Sequence, residues 1–215
     1  MSPDVSFVIP TRDAARTIDA CLRSLREQTA ASVEIVVVDN GSADDTVARA
    51  SRYADRVLRA GPERSAQRNA GARAANGDVL VFVDADMVLE PGVARACVDM
   101  LAADPTLGAL VVPERSFGRG FLARCRALEK QLYFGDERVE AARAFRRTGF
   151  ERVGGYDESI VAFEDWDLAD RVRSSGHRVG RITDGIWHDD GRVSVVAQFR
   201  KKRYYGRRSG TYLAM

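Results

Sequence analysis

The chain has 215 residues, of which 45% are hydrophobic and 30% are charged, and its formal net charge is +2. This composition is typical of globular proteins and excludes a wholly disordered or fibrous chain. The apolar runs are only strand-sized, the three cysteines are too few and too scattered for a disulfide framework or a zinc site, and the N-terminus does not resemble a secretory signal. We therefore expect one cytoplasmic globular domain, with or without an appendage.

The small net charge conceals an uneven distribution along the chain. Residues 192–215 contain seven basic residues and no acidic one, whereas the preceding 191 residues carry a net charge of −5, from 26 basic and 31 acidic residues. Aromatic residues lie among these basic residues. The segment therefore suits an anionic membrane surface, a return to a bound diphosphate, or a solvated helix that packs through its tyrosines. The acidic body argues against nucleic acid as a partner.

The first 112 residues alternate between short apolar runs and segments with helical spacing. The predicted strands are Ser6–Ile9, Glu34–Val38, Val57–Leu58, Val79–Val83 and Leu110–Val112. The predicted helices are Thr17–Gln28, Asp44–Tyr53, Ser65–Ala75 and Pro91–Ala103. Ser42 and Asp45 resemble a capping box that opens the second helix. This alternation predicts an α/β fold with a mostly parallel sheet.

Beyond residue 113 the pattern is less regular. A helix is predicted at Phe121–Phe134, short strands near Ala144–Arg147, a helix at Asp165–Ser174 and a basic helix over residues 193–208. We expect this half to form a lid or acceptor region built on the same sheet.

Three of the predicted strands are followed by residues that carry hydroxyl, amide or carboxylate groups. Thr11 comes after the first strand, Asp39 and Asn40 after the second, and Asp84 and Asp86 after the fourth. Ligands of open parallel sheets bind beyond the carboxyl ends of the strands, so these residues predict a shared binding rim. For each acid alone, the simpler interpretation is a turn former or a helix cap.

Asp84 and Asp86 would face the same side if strand geometry continued past Val83, because alternate residues of a strand share a side. Two such carboxylates repel each other, and one would become protonated unless a cation joined them. Mg²⁺ and Mn²⁺ take oxygen ligands and keep coordination positions open for phosphate oxygens. The pair therefore predicts a metal–diphosphate site.

Six short motifs follow one another along residues 5–190. They are Val5–Thr11 (VSFVIPT), Glu34–Thr46 (EIVVVDNGSADDT), Gln67–Gly71 (QRNAG), Val83–Asp86 (VDAD), Gly154–Glu158 (GGYDE) and Glu164–Leu168 (EDWDL). In this order they resemble the family 2 glycosyltransferases of GT-A fold. The resemblance implies a single GT-A type α/β domain over residues 1–191, with a Rossmann-like, mostly parallel sheet flanked by helices. Residues 1–112 would form its nucleotide-sugar-binding half and 113–191 its acceptor half, followed by the basic segment 192–215.

The resemblance also implies which residues bind the nucleotide. Pro10 and Thr11 would line its pocket, Asp39 would hydrogen-bond the base, Arg68 would contact the nucleotide, and Asp84 would lie near the ribose. Their residue types leave other roles open, because Asp39 can shape the turn that follows it and Arg68 can lie on a solvated helix face.

By the same resemblance, Asp86 and His188 match metal ligands. Asp165, the second acid of the Glu164–Asp165 pair, matches the base that accepts a proton from the acceptor. Acids at the start of a helix also stabilise its dipole, and a lone histidine is often structural, so both alternatives stand.

Three further residues are candidates for sugar contact on the donor or acceptor side. Glu164 belongs to the acidic pair, Trp166 could stack on a sugar ring, and Gly155 would allow close backbone approach. Trp166 can equally belong to the core, and Gly155 to a plain turn.

The reaction implied is transfer of one sugar from a nucleotide-diphosphate sugar to an acceptor hydroxyl, with inversion and with Mn²⁺ or Mg²⁺. A UDP-sugar is favoured over a GDP-sugar, and a lipid-linked acceptor would place the protein at the inner face of the membrane. Gln198–Tyr204 does not reproduce the Gln-x-x-Arg-Trp motif of processive members, so single transfer is expected. The alternatives are a non-catalytic nucleotide-sugar-binding subunit and a sugar-1-phosphate nucleotidyltransferase, which would need a glycine-rich loop after the first strand.

Overall fold

The computed structural model describes residues 3–29, 32–136 and 139–206. The strands are β1 Val5–Thr11, β2 Val33–Asp39, β3 Arg56–Arg59, β4 Val79–Phe82, β5 Met87–Leu89, β6 Leu107–Val111, β7 Glu114–Arg119, β8 Ala142–Arg146, β9 Arg178–Arg181 and β10 Ile186–Arg192. The helices are α1 Ile18–Arg26, α2 Thr46–Ala50, α3 Arg64–Ala74, α4 Val93–Ala103, α5 Phe121–Gln131, α6 Arg147–Arg152, α7 Glu164–Ser174 and α8 Val195–Gly206. No helix within these ranges is both long enough and apolar enough to cross a membrane.

A seven-stranded sheet in the order β3-β2-β1-β4-β8-β6-β9 forms the centre of the fold. Strands β3, β2, β1 and β4 are parallel, and β8 runs antiparallel to both of its neighbours. β1 and β2 pair along their whole length, so Thr11 and Asp39 are register partners at their carboxyl ends. The expected mostly parallel α/β sheet is therefore confirmed.

Both faces of the central sheet are covered by helices, which explains why its inner strands β2, β1 and β4 are apolar almost throughout. Phe7 and Ile9 of β1 pack in one core cluster together with residues of α1 and α4. Val8, between them, packs on the opposite face in a second cluster that includes residues of α3 and α7. Since alternate residues of a strand point to opposite faces, one strand contributes to both cores.

A second, three-stranded sheet with the order β5-β10-β7 lies beside the end of β4. Its central strand, β10, pairs with β5 in antiparallel fashion and with β7 in parallel, and it carries His188 opposite Met87. The backbone N–H of Asp189 also donates to the carbonyl of Asp86 at 2.8 Å. This sheet therefore brings a histidine from the far end of the chain to the turn after β4.

Two local expectations are wrong. The α2 helix is shorter than predicted, and Ser42 does not cap it. The Ser42 hydroxyl donates instead to the carboxylate of Asp39. At the start of α2, the backbone N–H of Thr46 donates to the carboxylate of Asp44 at 3.0 Å. Strand β4 ends at Phe82, so the alternation of a strand does not extend to the acids beyond it. The strands β5, β7, β9 and β10, and the short α6, are not among the predicted elements.

Candidate active site

A cleft of about 330 Å³ opens at the carboxyl ends of β1 and β4. Ligand sites typically occupy clefts of roughly 300–1,000 Å³, so its size suits part of a small ligand. The cleft is lined by Pro10, Thr11, Arg12, Asp13, Ala14, Arg16, Thr17, Arg64, Asp84, Ala85, Asp86 and His188. Five of the predicted site residues thus share one cavity, although His188 lies more than a hundred residues from the others.

Arg68 lies beneath this cleft rather than on a solvated helix face. Its side chain is 1% exposed, and it reaches Asp84 with Nη2 at 3.1 Å and Asp165 with Nη1 at 2.8 Å. Burial alone would lower the pKa of Arg68, but Asp165 and the other nearby groups raise it well above its ordinary value. The predicted nucleotide-binding arginine is therefore a permanently charged link between the turn after β4 and the start of α7.

Asp84 carries a negative charge that the protein itself compensates. Besides Arg68, Arg143 Nη1 lies 3.7 Å from its second carboxylate oxygen. Burial raises the pKa of Asp84, but Arg68 and then Arg143 outweigh that effect and hold it well below the usual range. A shared metal ion is therefore not needed to keep Asp84 ionised beside Asp86, contrary to the expectation from the sequence.

Asp86 points toward His188 instead of toward Arg68. Its Oδ2 lies 3.1 Å from His188 Nε2, and Glu114 Oε1 lies 2.7 Å from the other ring nitrogen, Nδ1. Burial lowers the pKa of His188, but the hydrogen bonds to Asp86 and Glu114 raise it to about 9. A carboxylate thus faces each ring nitrogen, and a metal ion bound at Nε2 would take the place of the proton that this nitrogen shares with Asp86.

The spacing of Asp86 and His188 fits a divalent cation. Neighbouring ligands of an octahedral ion with bonds of about 2.1 Å lie roughly 3 Å apart, which matches the 3.1 Å between Oδ2 and Nε2. Within the described ranges, no three histidine, cysteine or acidic side chains already converge as a metal-binding group. An ion held here would therefore need further ligands from water or from a bound substrate.

A charged cluster behind His188 was missed by the sequence analysis. Glu114 at the start of β7 accepts from Arg143 Nη2 at 2.8 Å and lies 3.2 Å from Lys130 Nζ, which also donates to Ser116 at 2.6 Å. Burial raises the pKa of Glu114, but Arg143 and His188 hold it well below its usual range. Glu114 comes soon after the buried strand β6, much as Asp39 ends β2 and Asp84 comes soon after β4. This position is the one feature of the sequence that could have identified Glu114 as a site residue.

Asp165 lies in the first turn of α7 with its carboxylate partly exposed. Its Oδ1 accepts from Arg68 and, at 3.2 Å, from the hydroxyl of Tyr156. Glu164, the other member of the acidic pair, is buried, with its Oε1 2.9 Å from Arg64 Nη2. Burial and the neighbouring Asp165 raise the pKa of Glu164. The two acids therefore have different surroundings, and Asp165 is the more accessible.

Trp166 is partly exposed and stacks on Phe163, with ring centroids 5.0 Å apart and an interplanar angle of 18°. Its indole N–H donates to the carbonyl of Val139 at 3.3 Å. Val139 in turn lines a second cavity, of about 260 Å³, that adjoins the charged cluster through Glu114 and Arg143. Trp166 is thus close to a cavity on the side of the chain expected to bind the acceptor.

Gly155 lies away from the cleft, in the turn after α6. It lines a separate pocket and has φ of +71°, and a Cβ there would lie 2.7 Å from the Asn69 side-chain oxygen. That oxygen accepts from the backbone N–H of Tyr156 at 2.9 Å. The structure thus gives Gly155 a role in positioning Tyr156, which contacts Asp165, rather than a place beside Asp86.

Asp39 is buried at the end of β2, where its Oδ2 accepts from the backbone N–H of Ser42 at 3.0 Å. It therefore shapes the turn after β2, and its hydrogen bond to a nucleotide base stays a prediction. Its register partner Thr11 lines the cleft and has a buried hydroxyl that bonds to none of the described residues.

The family comparison defines the class of protein. The model described as "Glycosyl transferase family 2" matches residues 6–155, which is more than half of the chain. The chain belongs to the family 2 glycosyltransferases, and the resemblance stated from the motifs is confirmed.

Individual relatives agree with this assignment. A pre-mycofactocin glycosyltransferase of Mycobacterium tuberculosis is 29% identical over an alignment of 226 positions, which covers 94% of this chain and 46% of that protein. The mannosyltransferase PcManGT of Pyrobaculum calidifontis, solved with GDP-Man and Mn²⁺, has a TM-score of 0.73 at 22% identity, over 100% of this chain and 65% of that one. Glucosyl-3-phosphoglycerate synthase of M. tuberculosis was solved with Mn²⁺, UDP and phosphoglyceric acid. It has a TM-score of 0.63 at 22% identity, and the match covers 92% of this chain and 74% of that one.

These likenesses confirm the GT-A type fold. The chain spans 37–60% of the length of three curated relatives that it matches, so it corresponds to part of those proteins.

Proposed function

We propose that this chain transfers one sugar from a nucleotide-diphosphate sugar to an acceptor hydroxyl, with a divalent metal ion and with inversion at the anomeric carbon. The observation that carries this proposal is the convergence of Asp86 with His188 at a cleft whose floor is joined to Asp165 through Arg68. The proposed metal–diphosphate site and the proposed base would thus belong to one charged network.

The donor is proposed to bind along the carboxyl ends of β1 and β4. Pro10 and Thr11 would face the nucleotide, and the buried Thr11 hydroxyl would gain a hydrogen bond on binding. Asp39, which fixes the neighbouring turn, and Asp84 complete this side. The solved proteins of similar fold hold UDP in one case and GDP-Man in another. These support a nucleotide-sugar donor, and we favour UDP over GDP.

Asp86 and His188 would hold the metal ion, either Mn²⁺ or Mg²⁺. When bound, such an ion would neutralise negative charge on the diphosphate leaving group. Glu114 accepts from Nδ1 of His188 and thereby aims Nε2 toward the cleft. Lys130 and Arg143 keep Glu114 ionised for this task.

Asp165 is proposed to accept the proton of the attacking hydroxyl. The hydrogen bonds from Arg68 and Tyr156 both go to Oδ1, which fixes the carboxylate plane and directs Oδ2 to the acceptor. A positioned general base of this kind typically contributes about 10²–10⁴-fold to the rate. Attack from the face opposite the leaving diphosphate inverts the anomeric carbon.

The acceptor is proposed to approach from the side of Trp166 and the cavity that adjoins it. That cavity is lined by Val112, Glu114, Lys130, Tyr133, Phe134, Val139, Glu140, Ala141 and Arg143. Its mixture of aromatic and charged side chains suits a sugar or a polyol headgroup. We propose a lipid-linked acceptor at the inner membrane face, since the basic segment 192–215 could lie on anionic lipid.

Calorimetric titration of the protein with UDP and GDP sugars, each with and without Mn²⁺, tests this proposal. We expect metal-dependent binding of one donor class, followed by sugar release or transfer. A ligand present at about 100 times its dissociation constant should also raise stability by about 2.7 kcal/mol. Binding without any turnover would favour the non-catalytic subunit, and absence of binding to every donor would contradict the proposal.

A further inference from the structure

Helix α5 has its apolar side turned toward solvent. Phe121, Cys125, Leu128 and Leu132 follow one another at spacings of four, three and four, which places them on one helical face. Phe121 is 78% exposed, Leu128 63% and Leu132 83%. A helix on the surface of a globular protein normally turns this side inward, so the face requires an explanation.

The polar side of α5 faces the protein instead. Ala123 is buried, Lys130 donates to Ser116 at 2.6 Å, and Arg126 Nε lies 3.5 Å from Asp190. Two of the three cations of the helix, Arg126 and Lys130, therefore contact β10 and β7. None of the described residues covers the apolar side, and the partly buried contacts of Arg126 and Lys130 hold the opposite side against the small sheet.

Helix α8 starts at the same end of the small sheet. β7 and β10 are parallel, and their last residues, Arg119 and Arg192, are register partners. α5 begins two residues after Arg119 and α8 three residues after Arg192. The first turn of α8 also exposes large apolar side chains, namely Val195 and Val196, and Phe199 follows one turn later. We call these exposed apolar side chains at the same end of the small sheet the apolar edge; they are Phe121, Leu128, Leu132, Val195, Val196 and Phe199.

The charge around the apolar edge is strongly positive. Residues 115–135 contain five basic residues and one acid, and residues 192–206 contain five basic residues and no acid. Arg119, Arg124, Arg192 and Arg200 are all exposed. Apolar side chains ringed by arginine are the combination that binds an anionic bilayer. A two-fold dimer through this edge would instead bring the same arginines together, which opposes association.

We propose that the apolar edge docks this protein on an anionic lipid bilayer. Arg192 lies four positions after His188 on β10, which spans at most about 13 Å at the usual rise of a strand. Docking would thus hold the cleft close to the lipid headgroups, where the hydroxyl of a lipid-linked acceptor lies. The proposal goes beyond the sugar transfer and does not depend on it, because docking requires neither donor nor metal.

Co-sedimentation with vesicles tests the proposal. Vesicles that contain phosphatidylglycerol should bind the protein at least about tenfold more strongly than vesicles of phosphatidylcholine alone, and added salt should weaken this binding. Two double variants should each weaken binding to these vesicles by about tenfold. One combines Phe121→Ser with Val195→Ser, and the other combines Arg119→Gln with Arg192→Gln. Val47→Ser with Arg52→Gln changes an exposed valine and an exposed arginine near α2, and this control should bind as the wild type does.

A probe on α5 gives a second measurement without substitutions. Cys125 is exposed on the apolar face, whereas Cys21 and Cys97 are buried, so an environment-sensitive fluorophore can be attached to Cys125. Its emission should shift to the blue on addition of anionic vesicles. Equal binding to both vesicle types, binding unaffected by the edge variants, or an unshifted emission would each overturn the proposal. Ultracentrifugation provides a further test. If the protein forms a concentration-dependent dimer, and the Phe121→Ser/Val195→Ser variant does not, the apolar edge binds a second copy of the chain and the membrane proposal is overturned.

Discussion

Arg68 and Asp165 meet at 2.8 Å although 97 residues of chain separate them. The same guanidinium also holds Asp84 at 3.1 Å, so one buried cation joins α3, the turn after β4 and the start of α7. Its fork presents two separate N–H groups to the two carboxylates, a geometry that lysine cannot reproduce. The donor side and the proposed base are therefore fixed relative to each other by a single side chain.

Replacing Arg68 should destabilise the protein strongly. Arg68→Ala leaves Asp84, Asp165 and Glu164 without the cation that they share. Removing one partner of a buried ion pair typically destabilises a protein by about 3–5 kcal/mol. Since two of these carboxylates are partly exposed, we expect a loss of about 3 kcal/mol. Urea denaturation measures this change. Arg73→Ala, an exposed arginine of the same helix, should change the free energy of unfolding by less than about 0.5 kcal/mol. Equal effects of the two substitutions would contradict the central role of Arg68.

Asp165→Asn should lower kcat by about 10²–10⁴-fold with donor affinity almost unchanged, because only the proton acceptor is lost. Steady-state kinetics with the donor identified by calorimetry provide the measurement. Asp170→Asn alters an exposed acid of the same helix, paired with Arg173, and should leave kcat unchanged. A near-normal rate for Asp165→Asn would show that another group takes the proton.

The metal site can be tested through His188 and the acid behind it. His188→Gln should abolish measurable Mn²⁺ binding in the cleft. Glu114→Gln keeps the ligands but removes the carboxylate that accepts from Nδ1, and such partners typically account for about 10–100-fold in metal affinity. His177→Gln, at the other histidine, is the matched control. Titration followed by Mn²⁺ electron paramagnetic resonance reports the affinities, and the metal site is misplaced if all three variants bind alike.

Asp55 should contribute stability that depends on pH. It accepts from the backbone N–H of Ile35 at 2.7 Å and pairs with Arg26 at 2.8 Å. Burial raises the pKa of Asp55, but the Arg26 and Ile35 hydrogen bonds outweigh it, so the folded pKa lies below its usual value. Because the pKa of Asp55 is lower in the folded state, its ionised form stabilises the protein at pH values above the unfolded-state pKa of about 3.9. This stabilisation is lost as the pH falls through the folded-state pKa.

The corresponding measurement is urea denaturation of Asp55→Asn at neutral pH and near pH 3. The variant should be less stable than the wild type at neutral pH, by less than about 1 kcal/mol because Asp55 is partly solvated, and the difference should shrink in acid. Asp99→Asn removes an exposed pair with Arg95 and serves as the control. A difference that stays constant with pH would rule out this linkage.

The three cysteines should differ sharply in reactivity. Cys125 is exposed, whereas Cys21 and Cys97 are buried, and burial followed by the charge of Asp184 raises the pKa of Cys97 to about 12. Because the thiolate is the reactive species, Ellman's reagent should modify one thiol rapidly in the native protein and the other two only after unfolding. Rapid modification of all three in the native state would contradict this burial.

Much of the fold was predictable because its strands are buried on both faces. The run Ile35–Val38 and the run Val79–Phe82 are apolar without interruption, as covered parallel strands require. The β7, β9 and β10 strands escaped prediction because they contain charged residues and glycines, and their pairing partners lie far away in the chain. Local pattern carries no information on such pairing.

By itself, the sequence determined the family, the main strands and the candidate acids, since each of these is written in neighbouring residues. Only the tertiary structure decided which charges meet. It set Arg68 beneath the cleft as a link between carboxylates, placed Glu114 behind His188, and turned Gly155 away from the cleft. The physical reason is that the energy of a buried charge depends on the partners within a few ångströms, and folding draws those partners from distant parts of the chain.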